Sequence, residues 1–217
     1  VASQWKISTG LHYTKGTGYY EQYKYDTKLS KFGLNAADFF NPDGREIKRT
    51  DLINQKWMDN DFYGIVASAN YDNREGLTMN IGGGWNRYDG DHFGRYLWIK
   101  NYMGNPAGKE YYRNDARKID GNIYGKVHWE FAKGLSAFAD LQYRHVSLRM
   151  DGPTDEWDGS EQLTYNIHSH YDFFNPKAGL FYDINPNIKA YASVAVAHKE
   201  PTRNDYEENM NADLKAE

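Results

Sequence analysis

Apolar and polar residues alternate one for one in seven stretches of this chain, and no apolar run approaches the ~20 residues that a membrane-crossing helix needs. Period-two alternation places one set of side chains on each face of a β-strand. The stretches begin near Gln4, Phe62, Leu77, Ile119, Leu135, Phe174 and Ile188. In the first, Trp5, Ile7, Thr9, Leu11 and Tyr13 share a face against Lys6, Ser8, Gly10 and His12. In the fourth, Ile119, Ile123, Val127, Trp129 and Phe131 oppose Asp120, Asn122, Lys126, His128 and Glu130. Alternation alone fits both a half-solvated β-sandwich and a membrane β-barrel.

Two further patterns favour the barrel. Tight links rich in Gly, Asn and Pro (73–76, 132–134 and 185–187) alternate with long ones, about 14–61, 89–118 and 147–172. Short turns on one rim and long loops on the other are a barrel's arrangement. Trp5 and Tyr13, Tyr63 and Tyr71, and Phe174 and Tyr182 are each eight residues apart on the apolar face. At ~3.3 Å per residue and ~40° tilt this interval projects to roughly 20 Å, close to the ~25 Å band between the aromatic girdles of such barrels. The expected fold is all-β: an antiparallel up-and-down meander of about seven long strands forming part of a larger transmembrane β-barrel. Mean hydropathy of −0.88 is compatible with this, because only every second strand residue faces lipid. Bacterial single-chain barrels use even strand numbers, so residues 1–217 are expected to be a partial barrel domain.

Composition removes other classes. The net charge of −4 gives no basic footprint for nucleic acid, and the absence of cysteine removes disulfides and thiolate chemistry. Ser, His and Asp occur without a nucleophile motif, and no cofactor is expected. The remaining alternatives are a soluble all-β carbohydrate-binding module and an accessory sandwich of a secreted enzyme.

The stretch Phe173-Phe174-Asn175-Pro176-Lys177-Ala178-Gly179-Leu180, the turn after it, Tyr191-Ala192-Ser193-Val194-Ala195 and then Lys199-Glu200-Pro201 resemble the TonB-dependent outer-membrane receptors. Many members read Gly-Phe-Arg-Ala-Pro where this chain has Ala197-His198-Lys199-Glu200-Pro201. The resemblance covers about residues 173–206. It implies a bacterial outer-membrane location and a 22-stranded barrel around an N-terminal plug, with loops that capture a scarce nutrient: a ferric siderophore, haem or cobalamin. It also implies membrane lipid and the TonB complex as partners, the latter through a plug not found among these residues.

Candidate ligand contacts are aromatic and basic residues of the first two long links. Tyr19, Tyr20, Tyr23 and Tyr25 offer rigid rings for stacking on a flat chelate. His92, Arg95, Tyr96 and Trp98 add rings and a cation. His168 and His170 would share a strand face but lack a third ligand for a metal, and the acids Asp151, Asp155, Glu156 and Asp158 lack the spacing of a calcium loop. Gly82-Gly83-Gly84 reads as close strand packing, not as a phosphate loop.

Overall fold

The computed structural model describes residues 4–45, 47–209 and 214–216. They form one antiparallel sheet of seven strands in sequence order. The strands are β1 (Trp5–Lys28), β2 (Arg49–Asp72), β3 (Leu77–Ile99), β4 (Glu110–Ala132), β5 (Leu135–Asp158), β6 (Glu161–Asn185) and β7 (Ile188–Ala195). A short helix, α1 (Arg203–Glu208), follows β7. The sheet is open, with β1 and β7 at its edges.

The three tight turns fall where the sequence places them. At 73–76, the Asn73 side chain accepts from the backbone N–H groups of Glu75 and Leu77 at 2.8 and 2.9 Å, and Gly76 supplies the positive φ of +94°. The long links are a correction. β1 to β6 run for 23 to 25 residues, about twice the 9–11 that cross a bilayer. Most of the expected loop is therefore strand. The first link shrinks to residues 29–48, the second to 100–109, and the third to the turn Gly159–Ser160. The physical reason is that no hydrocarbon faces the strands above the bilayer. The backbone ladder continues there while the hydrophobic period fades, and cross-strand charge pairs such as Lys15 with Asp59 take its place, at 2.7 Å. The expected loop after Lys199 does not simply project either: the chain leaves the sheet after Ala195 and lies back on it.

Register fixes the faces. Trp5 pairs with Tyr71, and Tyr13 with Tyr63, so both aromatic girdles run across β1 and β2. Following the partners across to β5, the Tyr13 row arrives at Ser147 and the Trp5 row at Ala139. The girdle rows on β5 and β6 are instead Tyr143–Phe174 and Leu135–Tyr182. Both edges of the band thus step down by four residues over four strands. Four rises of ~3.3 Å against four spacings of ~4.8 Å give a slant of about 35°. That is the tilt of strands in a closed barrel.

Among the described residues no second layer covers the apolar face. Ile123, Leu141 and Leu180 are more than half exposed on it. Most of the buried residues lie on the opposite, inner face and toward the long-link rim. One cluster joins Leu29 and Phe39 of the first link to Leu52, Tyr96 and Ile99. A second joins Ala116, Met150 and Tyr165 to Tyr206 of α1. Gly82 faces inward, and an added Cβ would lie 2.6 Å from the Tyr124 hydroxyl; the close packing read from the glycine run is present there.

Candidate functional site

The first link does not stand away from the sheet. It folds across the inner face, and its Gly33, at φ +61°, sits on the ring of Trp157 near the end of β5. Tyr96 donates to the Phe32 carbonyl at 2.5 Å, and Phe32 packs against the rings of Tyr96 and Tyr111. Burial raises the pKa of Tyr96 and Tyr111 well above the usual tyrosine value, so both hydroxyls remain protonated. The rim above is fastened by Asp51, whose carboxyl is held low by the Asp26 backbone N–H and by Lys100.

Between this link and the wall lies a cleft of about 470 Å³, lined by Lys24, Thr27, Lys31, Phe32, Asn54, Lys56, Asp155, Glu156 and Trp157. Lys24 and Lys56 face it because unbroken register from Trp5 to Lys24 keeps even-numbered residues of β1 and β2 inward. Lys56 is paired with Asp155. Asn54 is fully buried; its Nδ2 donates to the Tyr111 hydroxyl at 2.9 Å, while its Oδ1 has no partner among the described residues. The Trp157 indole N–H and the side-chain oxygen of Gln22, the register partner of Asn54, are likewise unpartnered. A buried polar atom left unsatisfied costs about 1–3 kcal/mol, so two of them on residues that line one cleft mark a surface made to meet polar groups.

A second inward feature lies lower on the wall. Arg144 of β5 bonds Asp120 of β4 at 2.5 Å and grips Glu200 through two bonds of 2.8 and 2.9 Å. Lys118 reaches the same carboxylate at 2.7 Å. The strap 196–206 is further held by the Thr202–Asp205 capping box of α1 and by Tyr206, which is buried and bonded to Tyr171 and Ser169.

The eight candidate contacts are strand residues, not loop residues, and the structure divides them. Tyr20 and His92 face inward, His92 within 3.2 Å of the Tyr88 hydroxyl. Tyr96 faces inward but is only 3% exposed, so it supports the link and offers no ligand surface. Tyr19, Tyr23, Arg95 and Trp98 face outward, away from the cleft. Tyr25 is exposed beside the bulge between Lys24 and Thr27. The acids expected in a loop lie on β5, and no group of three or more metal-ligating side chains forms among the described residues. Lys24, Lys56, Asn54 and Trp157 were missed; parity on continuous strands was the available signal for the first three, whereas Trp157 lies beyond a register shift in β5.

An outward apolar band slanted at the angle of barrel strands, with a polar inner face carrying inward-folded segments, is the wall of a membrane barrel. The family model for the TonB dependent receptor-like β-barrel matches residues 2–217. The chain belongs to that family. No curated protein matches it. The match extends far beyond the 173–206 stretch that carried the resemblance. It places the chain in the bacterial outer membrane as a receptor or transporter segment and removes the soluble carbohydrate-binding alternative. The short turns of this receptor wall are then periplasmic, and the 29–48 link and the cleft lie at the extracellular end.

Proposed function

We propose that the cleft beneath the 29–48 link is the capture site for a small, polar, negatively charged nutrient complex, an iron chelate foremost. The observation that supports this is the convergence of two unpartnered buried polar atoms, on Asn54 and Trp157, with Lys24, Lys31 and Lys56 against only two carboxylates. Phe32 and Trp157 add flat walls. Ligand oxygens would accept from the Trp157 N–H and the lysines, and a ligand hydroxyl would donate to Asn54. A haem iron would want an axial side chain, and the cleft lining contains no histidine. In this reading the chain works as a selective wall and not as a catalyst, and the TonB complex drives release through a plug domain carried outside these residues.

The test is calorimetric titration of the intact receptor with ferric siderophores, haem and cyanocobalamin. An anionic ferric chelate should bind and perturb Trp157 fluorescence, and Lys24→Ala with Lys31→Ala should weaken it by about tenfold or more, the loss expected for two charge-assisted hydrogen bonds. Binding that ignores both lysines, or a panel in which only neutral ligands bind, would overturn the proposal.

A further inference from the structure

Low on the inner wall the side chains are polar: Asn80, Asn122, Gln142 and Asn175 are in phase with Asp120 and Arg144. Higher up, the same phase turns apolar. Ala116 of β4 and Val146, Leu148 and Met150 of β5 point inward there. Register sets Ala116 beside Met150 and Lys118 beside Leu148, with Tyr88 of β3 next to Lys118. Val146 is fully buried and Met150 is 2% exposed, beneath the strap that follows β7. Tyr206 packs on Ala116, Met150 and Tyr165, yet the strap does not fill the patch. A cavity of about 380 Å³ remains between residues 199–203 and the wall, and His92, bonded to the Tyr88 hydroxyl, also lines it. That volume lies within the ~300–1,000 Å³ range of small-molecule pockets.

An anion site adjoins this cavity, and Lys118 and Glu200 belong to both. The Arg144 guanidinium donates from Nη1 to one Glu200 oxygen at 2.8 Å and from Nη2 to the other at 2.9 Å. Lys118 Nζ adds a third bond at 2.7 Å. Asp120 holds the guanidinium through Nε and Nη2, which fixes the direction of the fork. Both cations stand on paired strands of the wall, whereas the carboxylate sits on a rotatable side chain of the strap. The strap has further anchors on either side of Glu200. The His198 backbone N–H donates to Asn175 at 3.0 Å, and Tyr206 bonds Tyr171 and Ser169. The carboxylate can therefore swing aside while the strap keeps other points of attachment. It would leave an arginine fork and an ammonium group at the mouth of an apolar hollow.

We propose that this cavity is a binding site for a small organic carboxylate with an apolar body, and that Glu200 fills its anion position until such a ligand displaces it. The ligand carboxylate takes the paired donors of Arg144 and the Lys118 ammonium. Its apolar body covers Val146, Leu148 and Met150, the last of which adapts readily to shape. A neutral molecule cannot compete with Glu200 for the two cations, and a bare anion gains nothing from the hollow. The site is separate from the cleft beneath the 29–48 link, since the two linings share no residue. Neither assignment depends on the other.

The probes are hydrocinnamate, its neutral amide and acetate, each titrated calorimetrically into the intact receptor. Hydrocinnamate should bind at least about tenfold more tightly than either of the others. Arg144→Lys keeps the charge but loses the fork, and should weaken hydrocinnamate by about tenfold. Glu200→Gln weakens the internal competitor and should tighten hydrocinnamate by about tenfold, the opposite of what loss of a merely structural contact gives. Heat-modifiable gel migration should show both variants folded; if Arg144→Lys does not fold, Glu200→Gln alone decides. No binding of hydrocinnamate, equal binding of the amide or of acetate, or unchanged or weaker binding to Glu200→Gln would each overturn the assignment.

Discussion

Arg144 and Glu200, 56 residues apart in sequence, face each other on the inner wall through two nearly parallel bonds of 2.8 and 2.9 Å. This fork, not a loop-to-loop contact, ties the strap after β7 to the barrel at the middle of β5. The side chains are largely shielded, at 23% and 12% exposure. Glu200→Gln keeps the shape and removes the charge. It should weaken docking of the strap by about 2 kcal/mol, a factor of about 30 in the undocked population. Limited proteolysis within 199–209 of the intact receptor reads this directly. A cleavage rate unchanged from wild type would show that Tyr206 alone holds the strap.

The same carboxyl predicts an acid response. Shielding from water would raise the pKa of Glu200, but Arg144 and Lys118 outweigh it and hold the value at about 2. An unfolded or undocked glutamate titrates near ~4.3. A depressed native pKa means that the stabilisation is complete above the undocked value and is lost as pH falls from there through the docked one. Docking should therefore be flat from neutrality to about pH 5 and decline between about 4.5 and 2. These 217 residues contain no cysteine, and a fluorophore attached through Asn204→Cys reports on the strap. Glu200→Gln should remove the acid limb; identical titrations of the two proteins would refute the assignment.

Gly33 carries the contact between the extracellular link and β5. Its φ of +61° disfavours any side chain, and a Cβ would come within 2.3 Å of the Trp157 ring. Gly33→Ala should cost about 1–2 kcal/mol for the left-handed backbone alone, with the ring clash added. The link should lift off Trp157, red-shifting its emission and weakening ligand capture, whereas Ser30→Ala at an exposed position should do neither. Comparable behaviour of the two variants would mean that the link is anchored through Leu29 and Phe39 only.

The parts of this wall legible in its sequence are those that hydrocarbon polices. Between Ile119 and Phe131 a single residue out of phase would put a charge in lipid, so alternation stays clean and the strand can be read by eye. Around Tyr19–Tyr25 and His92–Trp98 no hydrocarbon bathes the strand, the penalty disappears and the period with it. The same backbone continues as strand, but the residues look like loop. Bulges between Ile53 and Asn54 and between Gly94 and Arg95 then shift the register, so Arg95 and Trp98 could not be oriented from spacing. The cleft was beyond reach for a different reason: Lys31, Lys56 and Trp157 meet only because a link folds across several strands, which no local pattern records.

The slanted band locates the bilayer centre on each strand, and this supplies the sharpest test of the wall. On β5 the girdle positions are Leu135 and Tyr143, which puts the midplane at Ala139 and Leu141 just above it. Leu141 is outward and 52% exposed, whereas Gln142 beside it points inward. An arginine near the midplane of a barrel's lipid face costs ~2–4 kcal/mol, and one in a wet interior costs far less. Leu141→Arg should thus lower the folding free energy of the intact receptor in lipid vesicles by about 2–3 kcal/mol, and Gln142→Arg by less than about 1 kcal/mol. Denaturant titration with a gel-shift readout distinguishes them. The decisive pair is adjacent in sequence, so a general sensitivity of this strand would move both equally. Only a bilayer on one side and water on the other separates them.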